Sequence, residues 1–220
     1  TLHITEGPLK ADIASYLSDG ELFIGLTGGI GTGKSEAAKF LASLGAVHLD
    51  ADAISHELTK PGGEALEPIR AEFGEGVFRE DGTLDRQALA QITFSDPARK
   101  RALEAILHPR IQRDIMRGID RAAEEGAKVV ILDVPLLFET GMDALCDETW
   151  VLSADAETQV ARVMMRDRVE RELVEARIQN QMPAEEKEKL ATQVIPTERP
   201  MEKTQAELAA LYQQVLKRLG

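Results

Sequence analysis

A single cysteine, Cys146, stands in a chain of 220 residues. One thiol excludes an intrachain disulfide and any zinc site built on cysteines, and it reads as a small core residue of a reducing compartment. Basic residues are also in deficit, with 26 Lys and Arg against 38 Asp and Glu and a net charge of −12. Nucleic acid and anionic membranes both demand a basic face, so neither is expected as a partner. No apolar stretch approaches the roughly 18 to 20 residues that span a bilayer. The first residues lack the basic-then-apolar order of a signal peptide, so the expectation is a soluble, cytoplasmic protein. What is there, 43% hydrophobic and 29% charged, suffices for one sizeable α/β core with insertions.

Residues 22 to 35, LFIGLTGGIGTGKS, hold the most specific signal. An apolar run feeds into Gly28-Gly29-Ile30-Gly31-Thr32-Gly33-Lys34-Ser35, which fits GxxxxGK(S/T), the phosphate-binding loop. Backbone N–H groups must wrap a polyphosphate closely, and glycines permit that approach. Gly29, Ile30, Gly31, Thr32, Gly33, Lys34 and Ser35 are therefore the candidate ATP-binding residues. Lys34 would reach the β- and γ-phosphates, and the Ser35 hydroxyl is the candidate Mg²⁺ ligand. The helical AAKFLASL that follows adds the positive end of its dipole. With glycine near 7% of average sequences, chance supplies such an octamer in about 1% of chains this long, and the strand-before, helix-after context lowers that figure.

Further along, GAVHLD (45 to 50) reads as a short strand ending in acid, and ADAISHELTK as a helix. A helix through Phe73 follows Gly62-Gly63, EDGT (80 to 83) is a turn, and a helix begins near Asp85. Asp96-Pro97 opens a long helical region running toward Gly126. KVVILD (128 to 133) has the continuous β-branched character of a buried parallel strand. ETWVLSAD (148 to 155) and ATQVI (191 to 195) are the remaining strands, and residues 201 to 219 form an amphipathic closing helix. Alternating strands and helices imply a parallel sheet covered on both faces, with chemistry beyond the strands' carboxyl ends.

Three acids close strands. Asp50 and Asp52 follow the second strand and Asp133 ends VVILD, and acids so placed in phosphate-loop proteins help to hold Mg²⁺ or take the acceptor's proton. Read alone, Asp52 fits the N-cap of the next helix better than a catalytic role, with a plain solvated acid as the third reading, and Asp133 serves equally as a strand-end hydrogen-bond acceptor. Arg162, Arg166, Arg168, Arg171 and Arg177 lie at helical spacings where a mobile hairpin would clamp phosphates. The competing reading is a solvated face paired with Glu170, Glu172 and Glu175. His108-Pro109-Arg110 marks a substrate-presenting turn or a plain helix boundary. Pro135, Leu136 and Glu139 of PLLFE form a substrate-facing wall or simple core.

LTGGIGTGKS, LDADAISHEL, DGTLDR, ILHPRI, LDVPLLFE and RDRVERE, in this order, together resemble the dephospho-CoA kinase family over roughly residues 22 to 195. The resemblance implies a P-loop kinase fold: a three-layer α/β/α domain with a five-stranded parallel sheet, a helical CoA-binding region and a lid. The core would comprise residues 21–60, 127–164 and 191–220, the CoA-binding region about 61–126 and the lid about 165–190, with residues 1–20 an extension of unassigned role. It implies ATP-dependent phosphorylation of the ribose 3′-hydroxyl of dephospho-CoA, with Mg²⁺, by a monomer or weak homo-oligomer. Asp52 becomes the favoured general base beside Asp50, with Lys34 and Arg168 completing the catalytic set. Asp52, His108, Asp133, Pro135, Leu136, Glu139, Arg166 and Arg171 become the substrate-binding set. Where relatives have an Asp-Asn type sequence after the last strand, this chain has Val194-Ile195-Pro196-Thr197-Glu198-Arg199. A kinase for another acceptor is the nearest alternative. A regulatory GTPase would need an NKxD guanine reader, and a motor ATPase an acid after Asp133, where Val134 stands.

Overall fold

A computed structural model describes residues 21–219. The described chain divides into two compact units, one built from residues 21–49 together with 121–219, the other from Asp50–Asp120.

The first unit is organised on a five-stranded parallel sheet. Its strands are β1 (Leu22–Gly28), β2 (Val47–Asp50), β3 (Val129–Asp133), β4 (Glu148–Ser153) and β5 (Gln193–Pro196), in the order β2-β3-β1-β4-β5. β1 lies at the centre between β3 and β4, its Leu26 opposite Asp133 and its Gly28 opposite Leu152. That register brings the end of β1 and the acid closing β3 to one edge of the sheet, where parallel sheets present their chemistry. Every residue of β3 is buried, as its unbroken VVILD run demands of a strand covered on both faces. Helices α1 (Lys34–Ser43) and, at the end of the chain, Met201–Leu219 cover one face. Ala37, Ala38 and Leu41 from the first, and Leu208, Tyr212 and Val215 from the second, meet Ile24, Leu26, Ile131, Trp150 and Leu152. The three- and four-residue spacings put each set on one helical stripe, and each large side chain so buried contributes about 2 kcal/mol. On the opposite face Gly25 leaves room for the Leu137 side chain and the Cys146 thiol.

The second unit is helical. It holds α2 (Ala51–Leu58), α3 (Leu66–Phe73), α4 (Arg86–Ser95) and most of α5 (Pro97–Glu124). Leu58, Ala65, Leu66, Ile69, Val77, Leu84 and Leu89 form its core. Asp85 caps α4 by accepting from the backbone N–H groups of Gln87 and Ala88, each at 3.0 Å. α5 runs unbroken through Pro109, so His108-Pro109-Arg110 is neither turn nor boundary. Pro109 has no N–H to give the preceding turn, and the helix continues through it because Ile106, Leu107 and Ile111 on either side pack against the unit's core.

The remaining helices belong to the first unit: α6 (Ala156–Asp167), α7 (Arg171–Gln179), α8 (Ala184–Leu190) and α9 (Met201–Leu219). β5 begins two residues later than ATQVI suggests. Thr192 pairs with Thr149 through its backbone N–H and its hydroxyl before the strand starts, and Pro196 is tolerated because β5 is an edge strand. No described helix is long and apolar enough to cross a membrane.

Candidate active site

The loop between β1 and α1 is shaped by what its glycines approach. A Cβ on Gly28 would lie 2.6 Å from the Leu152 carbonyl oxygen, and one on Gly31, at φ 78°, would lie 2.8 Å from that of Gln159. No other residue fits either position without moving backbone. Gly33, at φ 87°, is the N-cap of α1, which leaves Lys34 and Ser35 as its first two helical residues and the loop's amides near the positive end of the helix.

Lys34 extends from the loop to the buried Asp133, forming an ion pair with Oδ1, while His48 Nε2 lies 3.2 Å from Oδ2. Asp133 is 1% exposed. Burial pushes its pKa up and is the largest single influence, but the His48 hydrogen bond and the Lys34 charge together outweigh it, so the carboxyl sits below its ordinary value. Asp133 thus holds the loop lysine. An ammonium has three donors, so this contact still leaves donors for phosphate oxygens.

The segment after β3 continues the network. The Pro135 carbonyl accepts from the Thr27 hydroxyl at 3.1 Å and from Lys187 Nζ at 3.0 Å. Lys187, 1% exposed, pairs with Glu139 at 2.9 Å, and Glu139 also accepts from the Met182 backbone N–H at 3.1 Å. The Leu136 carbonyl accepts from the Thr140 hydroxyl at 2.7 Å. Pro135, Leu136 and Glu139 are therefore a hydrogen-bonded wall bolted to α8.

A cleft of about 180 Å³ opens on the other flank of the loop, lined in part by Thr32, Gly33, Arg162, Thr197 and Arg199. Arg162 reaches the Gly31 carbonyl at 3.3 Å and the Thr197 carbonyl at 2.6 Å, tying the loop to the chain beyond β5. It is a bracket for the loop and stands apart from the other arginines of its segment. Those lie at the exposed junction of α6 and α7. Arg166 pairs with Asp167 at 2.7 Å, Arg171 with Glu157 at 2.7 Å and Glu175 at 3.1 Å, and Arg177 with Asp167 at 3.1 Å. Of the acids expected from sequence only Glu175 takes part, because α7 folds back beside α6 and brings Glu157 and Asp167 within reach. Arg168 caps α6 with φ 55°, the one described non-glycine residue at positive φ, and it forms no ion pair with a described residue.

The second unit carries Asp50, Asp52 and His108. Asp50 is the N-cap of α2, accepting from the Ala53 N–H at 3.0 Å. The capping role weighed for Asp52 therefore falls two residues earlier, and Asp52 stands exposed in the first turn. His108 is half-buried in the middle of α5.

Residues 22–202 match the profile of the dephospho-CoA kinase family. The chain belongs to that family. A dephospho-CoA kinase from Symbiobacterium thermophilum is 48% identical over 189 residues, covering 86% of this chain and 79% of that protein. The crystal structure of a Thermus thermophilus protein aligns with a TM-score of 0.79 at 40% identity, over 88% of this chain and 97% of the other. A dephospho-CoA kinase from Campylobacter jejuni aligns at 0.60 with 26% identity, over 89% and 98%. The phosphate loop, the strand-end Asp133 and the PLLFE wall all fall inside the matched residues.

Within this family member, sequence reasoning missed His48, Lys187 and Gln181, the last accepting from the Ile30 backbone N–H of the loop at 3.2 Å. His48 had a usable signal: two residues before Asp50 in a strand, it shares that residue's face. Lys187 and Gln181 had none, because their partners lie 52 and 151 residues away.

Proposed function

We infer that the chain transfers the γ-phosphate of ATP to the ribose 3′-hydroxyl of dephospho-CoA, giving coenzyme A and ADP. One observation carries this reading: an intact GGIGTGKS loop, its lysine held by a strand-end aspartate, within a chain that matches the family over residues 22–202. Phosphoryl transfer asks the protein mainly for positioning and charge neutralisation, and the loop supplies both. Residues 29 to 35 would wrap the polyphosphate, with Lys34 on the terminal phosphates while Asp133 fixes its direction. The nucleoside would extend toward Thr197 and Arg199, in the cleft beside Thr32 and Gly33.

On the acceptor side, Asp52 is our choice for the base that orients the 3′-hydroxyl and takes its proton, with Asp50 beside it in sequence holding the start of α2. Arg168, Arg166 and Arg171 would close on the phosphates, their pairing acids being exchangeable at the surface. In this reading the lid is the arginine-bearing part of residues 165–190, Lys187 anchoring its later end. Residues 61–126 would furnish the CoA-binding surface, His108 included, and Pro135, Leu136 and Glu139 the substrate wall.

Magnesium belongs to the same reading. The exposed Ser35 hydroxyl in the first turn of α1 suits a hard cation that favours oxygen and would hold it together with phosphate oxygens. The ion supplies charge neutralisation on the transferring group.

A coupled ADP-release assay tests the whole. With ATP and Mg²⁺, turnover is expected with dephospho-CoA and not with AMP, CMP, adenosine or pantetheine phosphate, and Lys34→Ala should be inactive. Turnover on another acceptor alone would keep the phosphate-loop kinase and discard the CoA assignment.

A further inference from the structure

Gln181 lies in the turn between α7 and α8, half-buried, and its Oε1 accepts from the backbone N–H of Ile30 at 3.2 Å. Ile30 is the third residue of the phosphate loop. Because a peptide N–H is only a donor, the amide oxygen must face it, which fixes the orientation of the side chain. The NH₂ group, two covalent bonds away, is then held beside the loop, and it donates to no described residue. A side-chain donor fixed against a polyphosphate cradle is suited to an anionic oxygen.

The turn's anchoring says which phosphate. Met182, the next residue, donates to Glu139, and Glu139 pairs with Lys187, which holds the Pro135 carbonyl two residues beyond Asp133. Gln181 is thereby attached to the Asp133 and Lys34 flank of the loop, where the lysine serves the β- and γ-phosphates. The opposite flank is the cleft of Arg162, Thr197 and Arg199.

We propose that Gln181 is a further catalytic residue: its Oε1 holds the Ile30 amide and its Nε2 donates to the terminal phosphate of the nucleotide. The proposal rests on the kinase reading for its substrate, and it specifies a contact that ADP cannot make.

Calorimetric titration of ATP and ADP, without acceptor and with Mg²⁺, tests it on wild type, Gln181→Ala and Gln181→Glu. Loss of a charge-assisted hydrogen bond weakens ATP about tenfold in Gln181→Ala, while ADP changes by less than about twofold. Gln181→Glu keeps the acceptor for Ile30 and replaces the donor with a negatively charged oxygen, so its ATP affinity falls at least as far. Equal weakening of both nucleotides, or recovery of ATP binding in Gln181→Glu, would mean that the residue only shapes the loop and would overturn the proposal. Variants that match a wild type able to bind ATP overturn it as well while leaving the kinase assignment intact. A wild type that binds neither nucleotide overturns both.

Discussion

Two groups of cations in the first unit are held in opposite ways. Lys34 is largely buried, 14% exposed, and paired with a carboxylate that is 1% exposed and bonded in turn to His48. Arg166, Arg171 and Arg177 sit at the surface and pair with acids on α6 and α7 that are themselves exposed. A buried pair cannot lose one partner cheaply, whereas an exposed pair exchanges its partner for water or phosphate at little cost. The fixed cation therefore suits a permanent feature of the site, and the exchangeable ones suit groups that engage phosphate only when it arrives.

Removing charges on each side of that contrast should give graded results. Lys34→Ala is expected to lower kcat by at least about 100-fold in the coupled assay, and Asp52→Asn, the proposed base, should reach a similar scale. Near-normal turnover by Asp52→Asn would remove it from that role. Asp133→Ala should cost about 3 kcal/mol in urea unfolding, because it leaves Lys34 without its buried partner, and a loss below about 1 kcal/mol would place the pair with ordinary surface bridges. Arg168→Ala and Arg171→Ala should each lower kcat/KM about tenfold while leaving Tm within about 2 °C. A large fall in Tm with intact turnover would reverse the comparison and make these arginines structural.

Acid titration sharpens the same point. The Asp133 pKa is lowered in the folded protein, so its stabilising contribution is complete above the ordinary carboxylate value near 4 and is lost as pH falls through the lower folded value. Wild type should therefore lose more stability than Asp133→Asn between about pH 5 and pH 2, and parallel curves would count against the pair. The smallest effect concerns Cys146. Burial first, then the charges of Asp143 and Asp147, push its thiol up, so alkylation of the native protein near neutral pH should run at least about tenfold slower than that of the unfolded chain.

What was legible in the sequence was whatever is written in local spacing. The phosphate loop is an octamer, β3 is four apolar residues closed by an acid, and α9 is a periodic stripe, so each is placed by the sequence alone. The site's second layer is written between distant segments. Nothing near Gln181 names Ile30, and nothing in AEEKEKL distinguishes Lys187, which is buried against Glu139, from Lys189, which is exposed. Pro109 shows the limit of a local rule, since the packing of a 28-residue helix overrides a ring that should have ended it. The Asp50 and Asp52 exchange was a matter of two residues, within the usual uncertainty of a helix start.

Arg168 occupies a left-handed backbone position where glycine would be relaxed and an arginine costs about 1 to 2 kcal/mol. Stability and turnover are consequently set against each other at one residue. Arg168→Gly would relieve the bend between α6 and α7 while deleting a guanidinium proposed for the phosphates, so selection for a heat-resistant variant would favour the change that selection for rapid coenzyme synthesis rejects.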